Sequence, residues 1–198
     1  MGCCDANRDR NLFTFPHGRI SIWAMMFGIC TYTMTGISSI GCLYVKVGGA
    51  VDASIRFPNI SFSFSRGLGL FSYQEPLRKG LSCVYYSPDQ IAFLDGAFRA
   101  ARVFGHIANF FTGSAALMLL AIGCIDFSDV AVNAIGLMLL VGALFSLLTF
   151  TLFASKICDF DCDFSSGAGL ALAAALSGSA TAFLVFKIPP VPSTNSLA

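Results

Sequence analysis

Charged side chains make up only 12% of the 198 residues, about half the share found in ordinary soluble domains. The deficit is uneven: residues 130–154 and 167–186 contain no Asp, Glu, Lys or Arg at all. A formal charge of +1 leaves no basic face for a nucleic acid, so none is expected as a partner. Tryptophan occurs once against twenty phenylalanines, which suits packing bulk and lipid contact better than a recognition platform. No nucleophile–base pair, phosphate-cradling glycine loop or metal motif is present, so a non-enzymatic protein without a cofactor is expected. Nothing points to a small-molecule substrate.

What the chain does have is four long apolar runs, at about 20–45, 103–125, 130–154 and 167–186. Each reaches the roughly 20 apolar residues that cross a bilayer core of about 30 Å. The expected fold class is an all-α membrane protein, a bundle of four transmembrane helices with a small antiparallel β-sheet in its first extramembrane loop. The organisation that follows is a cytosolic tail at 1–19, a membrane domain at 20–186 with an outer loop at about 46–102, and a disordered Pro-rich tail at 187–198. The lipid bilayer and other membrane proteins, in a homo-oligomer or a larger complex, are the expected partners.

Residues 1–19 are polar and the first run is too long for a signal peptide, so that run reads as a retained helix. Gly2, Cys3 and Cys4 match the front of a myristoylation-plus-palmitoylation signal, although Ala6 stands where Ser or Thr is usual. Asp126 to Asp129 is a short hinge between the second and third runs. The hinge and both termini therefore share one side, with the long loop and the connector at 156–166 on the other.

Two signals disagree about sides. Arg8, Arg10, Arg19 and Lys187 lie with the termini, against eight basic residues from Lys46 to Lys156 on the loop side, and that count alone would place the loop in the cytoplasm. Cys42, Cys83, Cys158 and Cys162, however, can all meet on the loop side, where an oxidising compartment would join them. Asn59-Ile60-Ser61 is an N-glycosylation acceptor on that same side. The cysteines decide for cytosolic termini and outer or lumenal loops, in the plasma membrane or another endomembrane. Four cysteines allow three pairings; Cys158 and Cys162 could close a small loop or each bind a different partner. With Asp159, Asp161 and Asp163 they could instead hold a divalent ion, although a solvated rim is the plainer reading.

In the long loop, Ile60, Phe62 and Phe64 alternate with serines as in a half-buried strand, and Leu70–Tyr73 and Cys83–Tyr86 offer two more. Pro88 marks a helix start, so the second helix is expected to begin ahead of the bilayer. Asp95 and Arg99 are four apart and can pair, with Arg102 one turn on. His106 and Asn109 lie within the span, where a hydrogen bond to a neighbouring helix is the simplest role. Gly167/Ala171 and Ala174/Gly178 give the fourth span small faces for close packing.

The stretch Gly69-Leu70-Phe71, then Cys83, then Ala97-Phe98-Arg99-Ala100-Ala101-Arg102 opening the second helix, resembles the claudin superfamily. That group includes peripheral-myelin-type proteins and calcium-channel gamma subunits. In the family a Gly-Leu-Trp precedes a cysteine pair, and an arginine preceded by small residues opens the second helix. Here Phe71 replaces the Trp and Tyr73 falls near the first cysteine position, while Cys83 matches the second. The family's loop-internal disulfide cannot form, so the resemblance implies that Cys83 pairs with Cys42, Cys158 or Cys162. It also implies a tetraspan acting through contacts of its outer loop, in adhesion or membrane organisation. An accessory subunit of a channel or other large complex, packing against it through the small-residue fourth span, is the alternative, and a pore or transporter comes third.

Overall fold

The computed structural model describes residues 18–47, 67–74, 83–122, 125, 127–160 and 162–188. Four helices in it are long and apolar enough to cross a membrane: α1 (Gly18–Ile40), α3 (Gly96–Ile122), α4 (Asp129–Leu148), extended by a 3-10 segment at Thr149–Ala154, and α5 (Ser166–Val185). A short α2 (Pro88–Phe93) precedes α3. Each long helix packs on two others: α1 and α4 both touch α3 and α5. The four helices suggest a multi-pass membrane protein.

The side-chain distribution supports that reading. Trp23, Met26, Phe110, Leu117, Leu137, Leu144, Leu176 and Phe183 face outward, whereas Ala24, Ala108, Ala115, Ala174 and Ala182 are buried. Large apolar groups outside and small groups inside invert the arrangement of a soluble protein. Without a hydrophobic drive between helices, close backbone approach is what holds such a bundle. Gly142 shows how close: a Cβ there would lie 2.6 Å from Thr112 Cγ2.

Two apolar clusters lie at opposite ends of the bundle. One, around Tyr44, Leu68, Leu70, Phe98 and Leu152, sits under the sheet; the other gathers Leu119, Ile122, Ile135, Leu139 and Val185. Along every long helix the stretch between them is small and hydroxylated: Thr31 and Thr35, Asn109 and Thr112, Gly142 and Ser146, Ser177 and Gly178. Most of these hydroxyls donate to a carbonyl three or four residues back, as Thr35 does to Thr31 at 2.8 Å. Some then also accept across helices. Ser39 gives its proton to Thr35 and accepts from Asn109 Nδ2 at 2.8 Å, tying α3 to α1. Thr31 donates to Phe27, so Ser177 donates to Thr31 at 2.8 Å and ties α5 to α1.

The sheet caps one end. Strand β1 (Val45–Val47) pairs antiparallel with β4 (Cys162–Phe164), and β2 (Ser72–Gln74) pairs antiparallel with β3 (Cys83–Tyr85). Bridges from Leu68 to Val45 and to Tyr73 join the two pairs. Both connectors of that end are thus woven together.

Several boundaries differ from the sequence-based expectation. The first helix stops at Ile40 rather than near 45, because Val45–Val47 finds a strand partner in the other connector. That partner, β4, lies in the second connector, whereas the sequence pattern places the strands in the long loop alone. The second helix does begin at Pro88, with Ser87 and Gln90 closing a reciprocal capping box, but it breaks at Leu94 and restarts at Gly96. The expected strand at 60–65 lies outside the described residues.

Candidate functional site

The sheet-bearing end gathers most of the residues singled out from the sequence. Cys42, just past α1, is bonded to Cys83 at the start of β3, with Cα atoms 5.5 Å apart. Cys158 is bonded to Cys162 four residues on, with Cα atoms 5.0 Å apart. Of the three possible pairings, the structure therefore holds the one with a small internal loop, and Cys83 takes Cys42. Cys158 and Cys162 are not free thiolates and cannot act with Asp163 as metal ligands. Cys30 is a free thiol on α1. Gly2, Cys3, Cys4 and Asn59 lie outside the described residues.

Gly69-Leu70-Phe71 forms the joint between sheet and bundle. Gly69 N–H donates to Ser72 O at 2.8 Å, and Ser72 Oγ reaches back to the last-turn carbonyl of Ile40 at 2.7 Å. Leu68 and Leu70 are fully buried. Phe71 packs along α3, its ring centroid 4.2 Å from that of His106. Arg102 lies over two rings, with its guanidinium carbon 5.4 Å from the Phe71 centroid and 5.7 Å from the Tyr86 centroid.

Two tyrosines hold this joint from either side. Tyr86 donates to Gly69 O at 3.2 Å. Thr149 spends its proton on Ser146 O, so Tyr44 donates to Thr149 Oγ1 at 2.6 Å. Burial pushes the Tyr44 phenol up to about 12. Burial raises Tyr86 further still, against the nearby Arg102 charge. Both phenols therefore stay neutral donors at any physiological pH.

Asp95 takes a different partner from the one its spacing suggested. Its carboxylate caps α3 through Phe98 N–H at 3.3 Å and accepts from Ser155 Oγ at 2.6 Å and Lys156 N–H at 3.2 Å. It forms no ion pair with Arg99 among the described residues, and Arg99 is exposed. The cause is the break at Leu94: Asp95 becomes the residue ahead of α3 instead of a position within it, and its side chain turns toward free amides. The Asp95-Gly96 dipeptide was the available sequence signal for that break.

Partial burial pushes the Asp95 carboxyl up, but the Ser155 hydroxyl and the amides of Lys156 and Phe98 outweigh it and hold the group below 3.8. A carboxyl depressed on folding adds stability that is full above its unfolded value and is lost as the pH falls through its folded value. Thermal unfolding scanned from neutral to strongly acidic pH should show a loss of stability in the parent below about 3.8 that D95N lacks. Parallel curves for parent and variant would rule out the Asp95 latch.

His106 is exposed on α3, and Asn109 is turned inward to Ser39. Sequence reasoning did not single out Tyr44, Tyr86, Ser72 or Ser155, because their partners are 17 to 105 residues away. No protein-family model matches the chain, and no curated protein is significantly similar to it.

Proposed function

We propose that this chain is a non-enzymatic, claudin-like integral membrane protein whose sheet-bearing end makes protein–protein contacts, in adhesion or in organising the membrane. The observation that carries the reading is the sheet itself, stitched from both connectors and anchored to the helix ends. Each of its outer strands presents an exposed aromatic residue: Tyr85 on β3 is 66% exposed and Phe164 on β4 is 56% exposed. Phe164 extends a stack with Phe150 and Phe153, at centroid distances of 5.9 and 6.1 Å. Exposed aromatics on strand edges suit a partner chain. Two disulfides at that end favour an oxidising compartment, hence outer or lumenal loops and cytosolic termini.

The alternative, an accessory subunit docked through the small-residue fourth span, loses its main support. Gly167, Ala171, Ala174 and Gly178 are buried within the chain's own bundle, so they are not free for a partner helix.

A photo-reactive phenylalanine analogue at position 164 or 85, in native membranes, should crosslink to protein: a second copy, or a distinct membrane protein. The same analogue at the outward-facing Leu117 should give lipid adducts. Lipid adducts alone from all three positions would overturn the proposal.

A further inference from the structure

The outward face of α3 is not uniform along its length. Arg99, Val103, His106, Phe110 and Leu117 fall on one line of the helix surface and all are exposed. Arg102 borders that line, one turn from both Arg99 and His106. Going away from the sheet, the stripe changes from cationic to purely apolar.

The length of α3 sets where that change falls. Its 27 residues span about 40 Å, whereas a hydrocarbon core needs about 30 Å. The surplus of about two turns corresponds to residues 96–102, which carry Arg99 and Arg102, so these rest at headgroup depth with His106 about one turn below. This placement depends on the bilayer reading proposed above.

Among the described residues the cations have no counter-charge at that depth. Arg102 Nη1 is enclosed without an acceptor, between rings that neutralise no charge. Asp95, the acid nearest in sequence, is committed to Ser155, Lys156 and Phe98. No hydrogen bond or ion pair is made by the side chains of Arg99, Arg102 or His106 among the described residues. Phe71 contacts two of the three groups, its ring tilted against His106 and under Arg102. A half-buried guanidinium left unpaired is costly, and the group available at headgroup depth to pair it is an anionic phosphodiester.

We propose that Arg99, Arg102 and His106 form a docking site for the phosphate of a phospholipid in the leaflet on the sheet side, with its acyl chains lying along Val103, Phe110 and Leu117. The partner is a lipid rather than a free anion, because the stripe runs on from the cations as exposed apolar surface along which acyl chains attached to the phosphate can lie.

The test uses the full chain, purified in a neutral maltoside and stripped of lipid. Short-chain phosphatidylglycerol, diacylglycerol with the same chains, and inorganic phosphate are added separately, with retention read by native mass spectrometry and melting. Phosphatidylglycerol alone should remain bound and raise the melting temperature. R99Q and H106Q change exposed side chains, so they should fold and each weaken retention, by about fivefold for the arginine. R102Q should do the same if it folds, and its failure to fold leaves the two surface variants to decide. Equal retention of diacylglycerol, equal protection by inorganic phosphate, or unchanged retention by both R99Q and H106Q would overturn the site. Release of the chain from membranes by alkaline carbonate would instead overturn the bilayer reading on which it rests.

Discussion

Replacing Gly69 with valine should destabilise the protein by at least about 3 kcal/mol and stop the sheet from seating on the helices. A Cβ at position 69 would overlap the carbonyl oxygen of Gly41 and come 2.9 Å from that of Ser72. Both obstacles are backbone, so no rotamer change can relieve them. Gly41 follows directly on the last turn of α1, and Ser72 opens β2, so movement of either would pull apart the joint between loop and bundle. The same shift would strain the bonds from Gly69 N–H to Ser72 O and from Tyr86 to Gly69 O. Gly96 supplies the control: a Cβ there meets nothing within 4 Å, so G96A should melt like the parent. Chemical unfolding in detergent, with mobility on non-reducing gels as a second readout, distinguishes the two variants. Parent-like stability for G69V would mean that the 67–71 segment does not lie against the end of α1.

The second large effect belongs to the Cys42–Cys83 disulfide. It joins residues 41 apart, whereas Cys158–Cys162 joins residues four apart. On the chain-entropy account a closed loop of that length stabilises by about 4 kcal/mol, and the short one by about 2. C42S and C83S should therefore lose about twice the stability lost by C158S or C162S. The double variant C42S/C83S should match either single one, because one bond is lost in every case. The long disulfide also fixes β3 against the exit of α1, so its loss should free the Tyr85 edge on which the proposed contacts rely. Crosslinking from position 85 should then fall while that from position 164 persists. Equal losses for the two disulfides would show that native-state packing, rather than loop closure, sets their contribution.

The helical frame was legible because hydropathy acts locally. Runs of about 20 apolar residues in a nearly uncharged chain permit few other arrangements. The start of the second helical unit was legible for the same kind of reason: Pro88 carries its own helix-start signal, ahead of apolar residues at helical spacing. Asp95 illustrates where local reading failed. Its spacing to Arg99 is right for a helical pair, yet one break at Leu94 turned it into a cap for α3 and a latch to Ser155. His106 and Asn109 were alike in sequence, two polar residues within one apolar run. The helix's rotation separated them, turning Asn109 inward to Ser39 and His106 outward beside Phe71.

The sequence by itself determined four apolar helices, a polar connector-bearing end with four cysteines, and a bundle able to pack closely through small residues. Each of these depends on composition within a single turn or a single run. Only the tertiary structure decided that Cys83 takes Cys42, that the short second connector completes the sheet through Cys162–Phe164, and that Arg102 settles between Phe71 and Tyr86. Those outcomes join segments up to about 120 residues apart, as in the pairing of Val45 with Phe164. No local pattern encodes such a meeting, because it is selected by how the helix ends converge and not by what either segment prefers alone.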